Sequence, residues 1–149
     1  MWNLYPHERL REWKTFRQNL GQVSLDEACK STTHLWSYAP FVGHYLDPNR
    51  TTSLNPWPDP WTLLYENHYC DIAKSLGMLY TLYLSDHRPD DIELVLGTDK
   101  KESYNLVCLA QGKYILNLSF DSVLNKADIP KDFEIKHRYN PQDLKLDQY

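Results

Sequence analysis

Apolar positions along this chain recur first at helical spacing and later at strand spacing. Leu10, Trp13, Phe16 and Leu20 come after Pro6 at intervals of three and four until Gly21, which predicts an amphipathic helix over 6–20. Ser24-Leu25-Asp26-Glu27 has the S-x-x-E form of a capping box. Leu25, Ala28, Cys29, Thr32, Leu35, Trp36 and Ala39 then line one face, and Pro40 stops the helix near Tyr38 or Ala39. Asp59-Pro60 predicts an N-cap and first turn for a short helix through Trp61, Leu63, Leu64 and Tyr65, with Asn67 as the cap of the next one. That next helix, over about 69–84, is the most apolar in the chain and carries Cys70 at its start.

After Pro89 the pattern alternates. Residues 92–96, 103–110, 114–118 and 133–139 read as strands, with Gln111-Gly112 as a hairpin turn between the second and third. The last of these is expected to place Phe133, Ile135 and Tyr139 on a buried face and Glu134, Lys136 and Arg138 on a wet one. Helices first and an antiparallel sheet of about four strands second predict an α+β domain. Residues 1–149 are expected to form one domain: a helical hairpin over 1–40, a Pro- and Trp-rich strap over 41–59, a helix-plus-sheet core over 60–139 and a polar tail over 140–149 that would ordinarily fray.

Composition narrows the function classes. Twenty acidic against sixteen basic residues, with no long Lys/Arg cluster, exclude a nucleic-acid footprint. Three cysteines, Cys29, Cys70 and Cys108, lack the spacing of a disulfide scaffold or a zinc site and suit a reducing compartment. His68-x-Cys70 alone has no second ligand pair, so no metal is expected, and no cofactor either. Neither phosphate-cradling glycine motif occurs, which excludes nucleotide hydrolysis of that type. The acids of 85–91 read as a polar turn broken by Pro89. Nothing in the first residues reads as a leader and no stretch is long enough to span a bilayer, so synthesis in the cytoplasm and no membrane partner are expected. All five tryptophans precede Cys70. Core filling accounts for most of them, while Trp2, Tyr45, Trp57 and Trp61 are candidates for partner contact.

Tyr69-Cys70-Asp71-Ile72-Ala73, a helix, then 92–97, Tyr104-Asn105-Leu106-Val107-Cys108 and Gly112-Lys113-Tyr114-Ile115-Leu116-Asn117 together resemble the transglutaminase-like branch of the papain-like fold. The resemblance covers roughly 59–119 and rests on the order of parts. It implies a nucleophilic Cys at the helix start, a base His on the second strand and an orienting Asp on the third. This chain departs from that pattern: the His place holds Tyr104 or Asn105, according to whether the hairpin loop has two or three residues, and the Asp place holds Asn117. An amide takes up no proton at neutral pH and a tyrosine is a poor base. Cys70, Tyr104, Asn105 and Asn117 are therefore expected to be vestigial, and the chain to be a non-enzymatic interaction protein. A Cys70-dependent hydrolase or acyltransferase, with His68, His44 or His34 recruited as base, is the alternative. The texture of Asn55-Pro56-Trp57-Pro58-Asp59-Pro60-Trp61, with Leu63-Leu64-Tyr65-Glu66-Asn67 after it, is similar to tailed-bacteriophage proteins. That likeness implies a virion part of the neck, tail or baseplate whose partners are other protein subunits.

Overall fold

The computed structural model describes residues 1–43 and 57–149. Tyr45, His44 and most of the expected strap lie outside the described residues. Among the described residues four helices precede the sheet: α1 (Pro6–Leu20), α2 (Leu25–Ser37), α3 (Pro60–Glu66) and α4 (Asp71–Tyr83). The starts of α2 and α3 are those that the caps foretold. Ser24 Oγ accepts from Glu27 N–H at 3.2 Å, and Asp59 Oδ1 accepts from Thr62 N–H at 2.8 Å, each filling an orphan donor of a first turn.

Asn67 does not cap α4. It ends α3 in the left-handed region, φ 58°, where Asn is one of the few residues tolerated, and its side-chain amide donates to the Trp2 carbonyl. Cys70 is the N-cap residue of α4, without a side-chain capping bond.

Five strands form one antiparallel sheet in the order β4-β3-β2-β1-β5: β1 (Glu93–Thr98), β2 (Ser103–Leu109), β3 (Tyr114–Leu116), β4 (Val123–Leu124) and β5 (Glu134–Tyr139). β4 has no counterpart in the sequence pattern, because two residues are too few to show a period. The helices cover one face of the sheet, where Leu94, Leu96, Val107, Leu109 and Leu116 join the main core. On the other face Val95, Leu106 and Ile115 form a second, smaller core. β4 and β5 lie at opposite edges, so the chain between them crosses this outer face, and its Ile129 and Phe133 pack there.

β5 departs from simple alternation for a definable reason. A bulge opposite Leu96/Gly97 inserts a residue, which moves side chains beyond it to the other face. Phe133 consequently packs on the outer core and Tyr139 on the helical one, while Ile135 is exposed at the sheet edge. Gly97 is required there, since a Cβ would run into the Phe133 ring and the Glu134 carbonyl.

α4 is the axis of the helical layer. Of its thirteen residues only Asp71 and Lys74 are not buried. Trp13 and Trp36, from α1 and α2, both donate their indole N–H to Thr81 Oγ1 at 2.9 Å, and Thr81 in turn donates to the Gly77 carbonyl at 2.7 Å. One hydroxyl thus satisfies its whole hydrogen-bonding capacity and locates three helices at once.

α1 also carries a buried cation. Arg9 donates to Leu4 O, Leu64 O and Tyr65 O at 2.5, 2.6 and 2.8 Å, meeting the negative end of the short α3. The tail is held rather than frayed: Leu144 and Leu146 enter the main core, Arg88 donates to Tyr149 O at 2.8 Å, and Tyr149 sits edge-on to Trp61. Among the described residues no helix is long and apolar enough to cross a membrane.

Gly77 lies so close under the Trp36 ring that a Cβ there would overlap it. Helix propensity alone favours Gly77→Ala by about 1 kcal/mol, whereas overpacking a core costs about 1–3 kcal/mol. Urea unfolding should find Gly77→Ala less stable than the parent. An unchanged or raised midpoint would show that the α2–α4 contact is looser than described.

Candidate functional site

The buried helix α4 presents its first turn to a cleft of about 450 Å³. Its walls are Asp71 and Lys74 of α4, Ser37 at the end of α2, residues 102–105 at and before the start of β2, and residues 117–120 after β3. Both residues of α4 that escape burial are therefore residues of this cleft. Their spacing of three puts them on one helix face, beside each other at the positive end of the dipole.

Asp71 is the centre of the arrangement. Asn105 Nδ2 donates to its Oδ2 at 2.6 Å, and Asn117 Nδ2 stands 3.3 Å from its Oδ1. The same Asn117 amide reaches Ser75 Oγ at 2.6 Å and the Asn105 carbonyl at 2.9 Å, and Ser75 Oγ donates to that carbonyl at 2.5 Å. Four residues from α4, β2 and the end of β3 thus form one polar network at the cleft floor.

The register that the sequence left open is resolved by neither of the two loops considered. Leu109 pairs with Tyr114, so four residues, 110–113, make the turn, with Ala110, Gln111 and Gly112 all at positive φ. Asp91 holds that turn by accepting the N–H of Ala110 and Gln111 at 3.1 and 2.8 Å. Asn105 shares the helix-facing side of the sheet with Val107. Asn117 would point the other way if β3 simply continued. Its φ of 66° turns it back toward α4. Tyr104 faces away, edge-on to Phe133, with its hydroxyl donating to Asp99 at 3.0 Å. Glu102 and Asp99 raise the Tyr104 phenol above its usual range, Glu102 first.

Cys70 precedes Asp71 by one residue, yet it packs into the main core, 4% exposed, and is not part of the cleft wall. The residue that meets the β2 and β3 positions is Asp71. Neighbours in sequence at a helix start point about 100° apart, so one place is a large difference in direction. Sequence order alone could not separate the two. The adjacent acidic residue was the available signal.

Of the other thiols, Cys29 is buried and Cys108 half-buried. Burial, with Asp26 adding to it, pushes Cys29 up to about 12, and burial, with Glu93, pushes Cys108 up to about 12. Lys74 donates to the Ser37 carbonyl at 3.2 Å, and burial lowers its pKa. Of the histidines considered as bases, His34 pairs with Asp121 at 3.0 Å on the surface, and His44 lies outside the described residues. Among the described residues no group of three or more His, Cys, Asp or Glu could hold a metal ion.

The tryptophans named for partner contact differ in their surroundings. Trp57 is buried and edge-on to Tyr139. Trp2 is half-buried against Trp36 and Tyr69 and donates to Leu35 O at 3.1 Å. Trp61 is partly exposed beside Tyr149.

No family model matches the sequence, and no curated protein does. Solved structures do match in fold. Calcium-bound LapG of Legionella pneumophila has a TM-score of 0.69 at 12% identity, covering 93% of this chain and 77% of that one. The EGTA-treated form gives 0.71 at 12%, covering 91% and 74%. The chain therefore has the transglutaminase-like α+β fold, with four helices and a five-stranded antiparallel sheet among the described residues. LapG is a cysteine protease of that fold. The expectation of a non-enzymatic chain does not stand: it rested on two missing strand residues, and the chain shares its architecture with LapG. At this identity the likeness carries the fold itself.

If Asn117 acts as a donor to Asp71, Asn117→Asp sets two carboxylates against each other and removes that donor. Stability should fall by about 1–3 kcal/mol at pH 7. One of the two carboxyls must then have a raised pKa in the fold, so its contribution is present below the unfolded pKa and lost as pH rises through the folded one. Thermal unfolding should show the deficit shrinking from pH 7 to pH 4. A deficit independent of pH would contradict the network.

Proposed function

We propose that this chain acts on a polypeptide, which it holds in the cleft above the N-terminus of α4, with Asp71 and the amides of Asn105 and Asn117 meeting the bound segment. The observation that carries this reading is that α4, otherwise buried, opens only Asp71 and Lys74, and opens both to one cleft. A carboxylate accepts backbone or side-chain N–H, and a carboxamide both donates and accepts, which is the chemistry an extended peptide requires. About 450 Å³ is within the roughly 300–1,000 Å³ usual for ligand sites. A polypeptide occupant is the part of the virion expectation that the cleft supports. The phage context and its neighbouring subunits draw only on the texture of 55–67.

A second reading is favoured by a specific feature. Cys70 is the N-cap residue of α4, so its sulfur lies at the positive end of a helix dipole, beside the cleft residue Asp71. In a fold shared with a cysteine protease this supports a Cys70-dependent hydrolase or acyltransferase. The strand positions Asn105 and Asn117 supply amides, so the base for the thiol must come from outside β2 and β3.

One sample tests both. Amide NMR spectra titrated with a random heptapeptide pool should show shifts at Asp71, Asn105 and Asn117. Their absence, or shifts elsewhere only, overturns the first reading. Mass spectrometry of the same pool reads turnover. Under the second reading cleavage or transfer products appear and vanish in Cys70→Ser, and dilute iodoacetamide at pH 7 alkylates Cys70 well before Cys29 and Cys108. Products that survive Cys70→Ser, or equal slow alkylation of all three, would reject the thiol mechanism.

A further inference from the structure

The cleft has a sign and a rim, which together specify its occupant more closely than volume does. Two carboxylates, Asp71 and Glu102, stand on its wall against one cation, Lys74. That cation is already engaged, its ammonium donating to the Ser37 carbonyl, and burial lowers its pKa. Glu102 is exposed, near the start of β2, across from the first turn of α4. The lining is not acidic alone. Phe120 is 66% exposed at the cleft edge, and Tyr38 meets it edge-on at 5.3 Å. Phe41 and Val42 are also exposed, and Lys74 reaches over the Phe41 ring at 5.8 Å. Large exposed aromatics beside a charged recess are the composition of a recognition surface.

We propose that the segment held here is a basic one: a polypeptide that places a lysine or arginine side chain between Asp71 and Glu102 and lays its apolar stem and neighbours on Phe120 and Tyr38. Lys74 acts on Asp71 as the cleft's one cation, and against the two carboxylates it leaves the lining with a net negative charge that a further ammonium or guanidinium meets with attraction. Long basic side chains bury their methylenes on apolar surface while the head stays with the acid, and an exposed ring adds cation–π attraction. An acidic segment would meet the same carboxylates with repulsion.

This rests on the proposed polypeptide cleft, and the two can fail separately. Amide NMR spectra are titrated with three synthetic heptapeptides of one sequence, with central lysine, Nε-acetyl-lysine or glutamate. The lysine peptide should shift Asp71, Asn105 and Glu102 signals most and bind at least about twofold to fivefold tighter than the acetylated one, the range of a solvent-exposed ion pair. Its affinity should fall as salt rises from about 50 to about 300 mM. Glu102→Gln, outside the Asp71 network, should remove most of the lysine preference, and Phe120→Ala should weaken all three peptides. Equal binding of the three at the cleft would overturn the basic preference and leave the polypeptide reading standing. No cleft shifts with any of them would overturn both.

Discussion

The close approach of α2 to α4, with the Trp36 ring laid on Gly77 and two indoles sharing the Thr81 hydroxyl, is the constraint on which the rest of this molecule depends. It works because Gly77 has no Cβ and because Thr81 offers two acceptor positions and one donor. A helix gripped this way cannot rotate without breaking two buried hydrogen bonds. Its orientation about its own axis is therefore set, and so is the direction in which its first turn faces. The burial of nearly every α4 side chain is the result. So is the exclusion from burial of Asp71 and Lys74, which face the seam between α4, β2 and the end of β3.

That orientation decides which residue the strands address. Cys70 is one place earlier than Asp71 and is turned into the core, while the carboxylate of Asp71 takes the amides of Asn105 and Asn117. The network is internally consistent: Asn117 is bent into it by a left-handed backbone, and Ser75, otherwise an odd polar residue in an apolar helix, is buried because Asn117 and the Asn105 carbonyl satisfy it. Such satisfaction of buried polar groups holds a cleft floor rigid. It also sets the terms on which any thiol chemistry at Cys70 operates, since the strand positions supply hydrogen bonds and no proton acceptor.

Much of the fold was legible because it depends on local rules. Ser24, Asp59 with Pro60, and the three-and-four spacing of α1 fix helix starts within the chain itself, and alternation finds β1, β2 and β3. What was not legible depends on contacts between distant residues. The two-residue β4 is defined by pairing with β3. The bulge in β5 arises where it meets Gly97. Arg9 reads as an ordinary helix-surface charge until its three carbonyl partners from 4, 64 and 65 are in place. Leu144 and Leu146 look too isolated to hold a tail until the core they enter exists. At the site, the sequence singled out Asn105 and Asn117 but aimed them at Cys70. The shift of one residue came from the rotation of α4, and the choice between Tyr104 and Asn105 from a four-residue turn held by Asp91, neither of which any local pattern encodes.

Position 71, rather than position 70, faces the cleft, and side-chain accessibility reads this directly. In Asp71→Cys the introduced thiol and Cys70 sit one residue apart in the same chain and are alkylated by the same reagent. Time-resolved mass spectrometry with iodoacetamide should find the introduced thiol modified about tenfold faster than Cys70, because reactivity follows exposure as well as thiolate character. Equal rates, or faster reaction at Cys70, would place the sulfur of Cys70 in the cleft and Asp71 outside it.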